Sequence, residues 1–209
     1  MSDYKSYVGP KKAYESTGLE VFGLLKELGL KPKHRFLDMG CGGLRVGKHI
    51  ILYLDQSNYH GVEPEVSILE NAICGELTGS LLQEKRPTFS HSSKFEVDAG
   101  KKFDFVLAYD VFYHCGKEQL FEFLAKAHSF TTINCKIYVS VMYADGKPHQ
   151  TIKGDYHYRH ASHSNVYFEP DEFLSLVESL GYSARQVNFN QKFFGSRMIF
   201  ELRRNVKIF

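Results

Sequence analysis

The stretch Asp38-Met39-Gly40-Cys41-Gly42-Gly43-Leu44-Arg45-Val46-Gly47 decides how the chain is read. It closes an extended apolar run, His34 to Met39, and opens the segment Leu44 to Leu54, where Val46, Ile50, Ile51 and Leu54 recur at helical spacing. Strand, glycine turn and helix in that order begin a doubly wound α/β sheet, in which ligands bind beyond the carboxyl ends of the strands. Glycines in the turn permit positive φ and close backbone approach, and the start of a helix offers N–H groups to a polar ligand. Glu63 ends the next extended run, Tyr59 to Glu63, where it is placed to accept hydrogen bonds from both hydroxyls of a ribose. A nucleoside-type ligand is expected.

Outward from this turn the alternation continues. Before it, Lys12 to Leu28 carries Leu19, Phe22, Leu25 and Leu28 three or four apart, the stripe of an amphipathic helix that stops at Gly29, within an N-terminal helical segment 1–33. After it come a helix from Glu65 to about Leu77, a short strand Pro87 to His91, a strand Lys102 to Tyr109, a helix Lys117 to Phe130 and a β-branched strand Cys135 to Met142. A helix starting at Pro170 runs to Leu180 and is ended by Gly181. Two strands follow, Ser183 to Phe189 and Phe194 to Arg203, joined tightly enough to pair antiparallel. The expected class is α/β, a Rossmann-like doubly wound sheet, mostly parallel, with an antiparallel C-terminal hairpin strand, in a single domain spanning 1–209.

A dinucleotide fingerprint reads GxGxxG, and counting from Gly40 puts Arg45 at the third glycine. FLDMGCG instead resembles the first motif of class I S-adenosylmethionine-dependent methyltransferases, which has an acidic residue two places before the first glycine. Asp38, Gly40 and Gly42 match it, while the third glycine of the fuller form GxGxG falls on Leu44, with Gly43 and Gly47 nearby to supply flexibility. The longer stretch GCGGLRVGKHIILYLDQSNYHGVEPE resembles a subgroup in which GCGxLRxG precedes a YL segment and a strand end of the form Y-x-G-x-E-P. FDFVLAYDVFYH looks like the fourth-strand segment of the same family.

That resemblance implies the class I methyltransferase fold and S-adenosyl-L-methionine as cofactor, with S-adenosyl-L-homocysteine as product. It would lay Gly40, Cys41 and Gly42 along the methionine end, Asp38 near the amino group, and Glu63 with Pro64 at the ribose. The adenine would lie beyond the third strand, where His91-Ser92-Ser93-Lys94-Phe95 has no carboxylate, so that Ser93 offers its hydroxyl and Phe95 its ring. Tyr109, Asp110, Tyr113 and His114 follow the fourth strand, at the rim where the family presents the methyl group. Aromatic faces stabilise a sulfonium, and a histidine accepts a proton near neutral pH, so Tyr113 and His114 are the candidate catalytic residues. Arg45, read as a cation in the first turn of a helix and so opposing the macrodipole, calls for an anion: the cofactor carboxylate, an acid on the substrate, or an internal partner such as Asp110.

Segment 143–168 lacks either periodicity and holds His149, His157, His160 and His163 with Tyr156, Tyr158 and Tyr167, as a substrate-facing lid would. Histidines three apart on a loop fix no ligand geometry, so no metal is assigned. The 209 residues carry 43% hydrophobic and 24% charged side chains, the balance of a folded domain, and a net charge of +2 that gives no strong pull toward nucleic acid. No apolar run reaches the roughly 20 residues of a membrane helix, and the start MSDYKSYVGPKK has no signal-peptide core, so a cytoplasmic protein is expected. The four cysteines lie far apart without CxxC pairing and read as free thiols.

The function read from the sequence is methyl transfer to an O or N of a small or medium polar acceptor. Tyr109-Asp110-Val111-Phe112 stands where an amino-methylating N/D/S-P-P-aromatic motif would fall, which disfavours DNA-adenine methylation. The alternatives are a non-catalytic S-adenosylmethionine-binding module and an NAD-dependent oxidoreductase.

Overall fold

A computed structural model describes residues 3–98, 100–112, 114–115, 117–143, 167–189 and 197–205. They fall into two compact units, Met1–Ser93 and Lys94–Phe209. Tyr113 and most of the expected lid, including His149, Tyr156, His157, Tyr158, His160 and His163, lie outside the described residues.

The first unit opens with a short helix, α1 (Tyr4–Tyr7), a 3-10 turn (Lys11–Ala13) and α2 (Tyr14–Glu27). Strand β1 (Phe36–Met39) leads through the glycine turn to α3 (Gly47–Tyr53), then β2 (Tyr59–Val62), α4 (Val66–Glu76), α5 (Gly79–Lys85) and β3 (Thr88–Ser90). The strands are parallel in the order β3-β2-β1, with Phe36 opposite Tyr59 and Met39 opposite Val62. Every residue of β1 and β2 is buried, as befits parallel strands.

Two readings change here. The buried side of α2 is Tyr14, Thr17, Gly18, Val21, Leu24 and Leu25, whereas Leu19 of the expected stripe is 54% exposed. The helix turns its small residues inward because it packs close to the glycine turn: a Cβ on Gly18 would lie 2.2 Å from the Arg45 carbonyl oxygen. Helix α5 was not expected; its sequence signal is Thr78, whose hydroxyl accepts from the Leu81 N–H at 3.2 Å as an N-cap.

The second unit contains β4 (Phe103–Ala108), α6 (Lys117–Phe130), β5 (Thr131–Tyr143), β6 (Tyr167–Phe168), α7 (Pro170–Ser179), β7 (Tyr182–Val187) and β8 (Arg197–Arg204). β5 is parallel to β4 and β6 and antiparallel to β8, which pairs antiparallel with β7. The mixed α/β pattern, parallel strands closed by an antiparallel C-terminal pair, is the one expected. Helix α6 has the expected bounds because Leu120, Phe123, Leu124, Ala127 and Phe130 form an unbroken buried stripe. Phe95 and Phe112 join Phe123 with ring centroids 5.4 to 6.1 Å apart, a cluster in which each ring contributes about 1.5–3 kcal/mol of burial. Among the described residues no helix is long and apolar enough to cross a membrane.

Candidate functional site

In the first unit the turn after β1 is held by the end of β2. The N–H groups of Gly40 and Cys41 both donate to the Val62 carbonyl, at 2.8 and 3.0 Å, and the Gly42 N–H donates to Glu63 Oε2 at 3.0 Å. Gly42 sits at φ 51, and Leu44, at the position of the missing third glycine, is left-handed too, at φ 57. The left-handed turn is therefore kept without its glycine, at a cost of roughly 1–2 kcal/mol that full burial of the leucine side chain offsets. Gly43 and Gly47 serve close approach rather than flexibility. A Cβ on Gly43 would meet the Tyr4 carbonyl oxygen at 2.4 Å, and one on Gly47 the Tyr59 hydroxyl at 2.3 Å.

Glu63 is buried and well supplied with donors. Its Oε1 accepts from the Tyr7 hydroxyl at 3.2 Å and the Glu65 N–H at 2.9 Å, in addition to Gly42 on Oε2. Burial pushes its carboxyl upward, and the Glu65, Gly42 and Tyr7 donors oppose that shift. Asp38 accepts from the Tyr59 hydroxyl at 2.7 Å, and burial drives its carboxyl up to about 7 despite that bond. Cys41 is buried, its thiol raised well above the ordinary range by burial and by the nearby Asp38 and Glu63 charges. Pro64 is half-buried and Ser93 exposed. Arg45 stands before the helix, since α3 is capped by Val46, so it is not the first-turn cation expected; its buried guanidinium donates to the Val8 carbonyl.

The second unit holds the groups that follow β4. Tyr109 is buried, and Asp110 adopts φ 62 with its N–H donating to Ser140 Oγ at 2.7 Å. Its carboxylate pairs with Arg197 of β8 at 2.8 Å, both side chains nearly enclosed. His114 is half-buried, and burial lowers its imidazole to about 4, with Arg197 adding to the shift and Asp110 opposing it. It is neutral at physiological pH. Phe95 packs its ring against Phe112 and Phe123.

The structure thus gathers Gly42 and Glu63 through a direct bond in one unit, and Asp110 and His114 through mutual electrostatics in the other. Reading the sequence missed four participants: Tyr7 and Val8 over the turn, Tyr59 beneath Asp38, and Arg197 beside Asp110. Tyr59 was visible as the first residue of the Y-x-G-x-E-P segment. The others lie far from their partners in sequence and leave no local pattern.

Residues 37–137 match a family model described as a methyltransferase domain. No curated protein matches the chain. Among solved structures, it is similar to the magnesium protoporphyrin IX methyltransferase ChlM of Synechocystis PCC 6803 with bound SAM, at 15% identity and TM-score 0.68, over 96% of this chain and 89% of that one. It is also similar to the glycopeptide N-methyltransferase MtfA in complex with S-adenosylmethionine, at 13% identity and TM-score 0.69, covering 90% of this chain and 94% of that one. The methyltransferase domain of bacterial CtHen1-C is 19% identical with TM-score 0.65, over 92% and 98% of the two chains.

Proposed function

We propose, from the premise that residues 37–137 of this chain form a methyltransferase domain on the class I methyltransferase fold, that the protein transfers a methyl group from S-adenosyl-L-methionine to an O or N of a small or medium polar acceptor. The observation that carries this reading is the Gly42–Glu63 bond, which fixes a buried carboxylate against a left-handed glycine turn at the ends of two parallel strands. Solved structures of the same fold were determined with S-adenosylmethionine and with S-adenosylhomocysteine.

The residues present fit such a ligand. Glu63 is an acceptor suited to a ribose diol, with Pro64 beside it. Asp38 supplies a carboxylate for an ammonium, Gly40, Cys41 and Gly42 a close backbone surface, and Arg45 a cation for a carboxylate. Ser93 is proposed at the adenine, and Tyr109 and Asp110 toward the methionine end. When bound, the sulfonium supplies an activated methyl group for in-line displacement. The chain's own contribution is then positioning, for which a base is optional. His114, neutral but weakly basic, is suited to orienting an acceptor by hydrogen bond, and Tyr113 is proposed beside it. The reading takes 1–209 as one methyltransferase domain with segment 143–168 facing the acceptor, and places the protein in the cytoplasm.

The test is to incubate the protein with methyl-labelled S-adenosylmethionine and a panel of small hydroxyl, carboxyl and amine acceptors. Acceptor-dependent S-adenosylhomocysteine with label on one acceptor supports the reading. Cofactor binding without turnover on any acceptor would convert it to a non-catalytic binding module.

A further inference from the structure

The segment Asp3–Val8 lies across the proposed nucleoside site and is tied down at both ends. At one end the Tyr4 hydroxyl donates to Glu76 at 2.7 Å and Lys5 pairs with the same carboxylate at 2.9 Å, while Lys48 holds Glu76 from below at 2.8 Å. At the other, Arg45 binds the Val8 carbonyl, and the Val8 side chain sits over Gly42, where a Cβ would lie 2.7 Å from it. Between the two ties, the Tyr7 hydroxyl reaches Glu63 Oε1. The fit is close enough that Gly43 and Gly75 have no room for a side chain, their Cβ positions falling 2.4 Å from Tyr4 atoms.

The acceptor count on Glu63 gives this contact a consequence. Each carboxylate oxygen has two lone pairs. Both on Oε1 are occupied, by Tyr7 and the Glu65 N–H, while Oε2 holds the Gly42 N–H and keeps one position open. A ribose presents two hydroxyls and needs one position on each oxygen. The Glu65 donor is main chain beside a helix start and stays; the Tyr7 hydroxyl is on a side chain of the four-residue helix α1, which has no buried residue, and can leave.

We propose that residues 3–8 form an autoinhibitory strap, in which the Tyr7 hydroxyl occupies the Glu63 position that a ribose hydroxyl takes, so that nucleoside binding must displace it. The proposal rests on the cofactor reading above. The closed strap multiplies the intrinsic affinity by the fraction of molecules in which it is open, and a change that raises that fraction raises apparent affinity in proportion.

The test measures S-adenosylhomocysteine binding by calorimetry, and trypsin cleavage after Lys5, Lys11 and Lys12, for the full chain and two variants. Tyr7→Phe keeps the ring and removes the donor. Glu76→Gln loosens the far tie, away from every group proposed to touch the nucleoside. Both are expected to bind S-adenosylhomocysteine about fivefold or more tightly than the unmodified chain, and Glu76→Gln to be cleaved faster in the strap before ligand is added. In the unmodified chain, ligand is expected to speed that cleavage. Binding that is unchanged or weaker in Tyr7→Phe, with the unmodified chain still binding, overturns the strap and leaves the cofactor reading intact. No binding by any of the three proteins overturns the cofactor reading, and the strap with it.

Discussion

In the first unit the groups proposed to hold the nucleoside come from two consecutive strand ends, and main-chain N–H groups fix them: Val62 anchors the turn and Gly42 anchors Glu63. In the second unit Asp110 is held by Arg197, which arrives from the last strand, and by the Ser140 hydroxyl of β5. A site held by adjacent backbone is a property of a short sequence; a site held by distant side chains is a property of the finished fold. The two units therefore differ in what breaks them.

The largest effect should come from the side-chain-held unit. Arg197→Met removes the ion pair to the nearly enclosed Asp110 carboxylate, and about 3–5 kcal/mol of unfolding free energy should be lost in urea denaturation, with much of it recovered by adding Asp110→Asn. Unchanged stability in the single variant would show that the pair does not hold this region.

The counterpart in the backbone-held unit should affect binding more than folding. Glu63→Ala, made in a Tyr7→Phe background and compared with Tyr7→Phe alone so that the strap contact is absent from both, should weaken S-adenosylhomocysteine affinity by about 1–3 kcal/mol in a calorimetric titration while the far-ultraviolet circular dichroism spectrum is retained. Equal affinity would put the ribose elsewhere.

This contrast also explains what could be read before the structure. The glycine turn after β1, the place of Glu63 at the end of β2, the antiparallel C-terminal pair and the bounds of α6 were legible because each is a local pattern of period or spacing. The inward face of α2 was misread because its close approach to the turn is made at Gly18, which carries no hydrophobic signal, while Leu19 carries one and faces out. Leu44 looked like a departure from a glycine motif, yet its backbone takes the glycine conformation. The strap was invisible because MSDYKSYVGPKK has no periodicity; its meaning lies in Glu63 and Glu76, far along the chain.

A pH titration sharpens the comparison further. Burial raises the folded-state carboxyl of Asp38 from 3.8 to about 7. Between those values the unfolded chain binds fewer protons than the folded one, so Asp38 makes stability fall as pH rises through that window. Asp38→Asn should flatten the slope in thermal melts recorded across it; an unchanged slope would assign the effect to another group. The smallest effect is expected at the edge of the first unit. Tyr4→Phe removes one hydrogen bond to Glu76, which keeps Lys5 and Lys48, and should cost about 0.5–1.5 kcal/mol in the same melts. A loss well above that range would mean that the tyrosine hydroxyl organises the whole Glu76 cluster.

The most direct measurement is a calorimetric titration of the unmodified chain with S-adenosylhomocysteine and, separately, with NAD. A site built on Glu63 and the Gly40–Gly42 turn should give saturable one-to-one binding of S-adenosylhomocysteine and no saturable heat with NAD. Saturable NAD binding without S-adenosylhomocysteine binding would contradict the account at its centre.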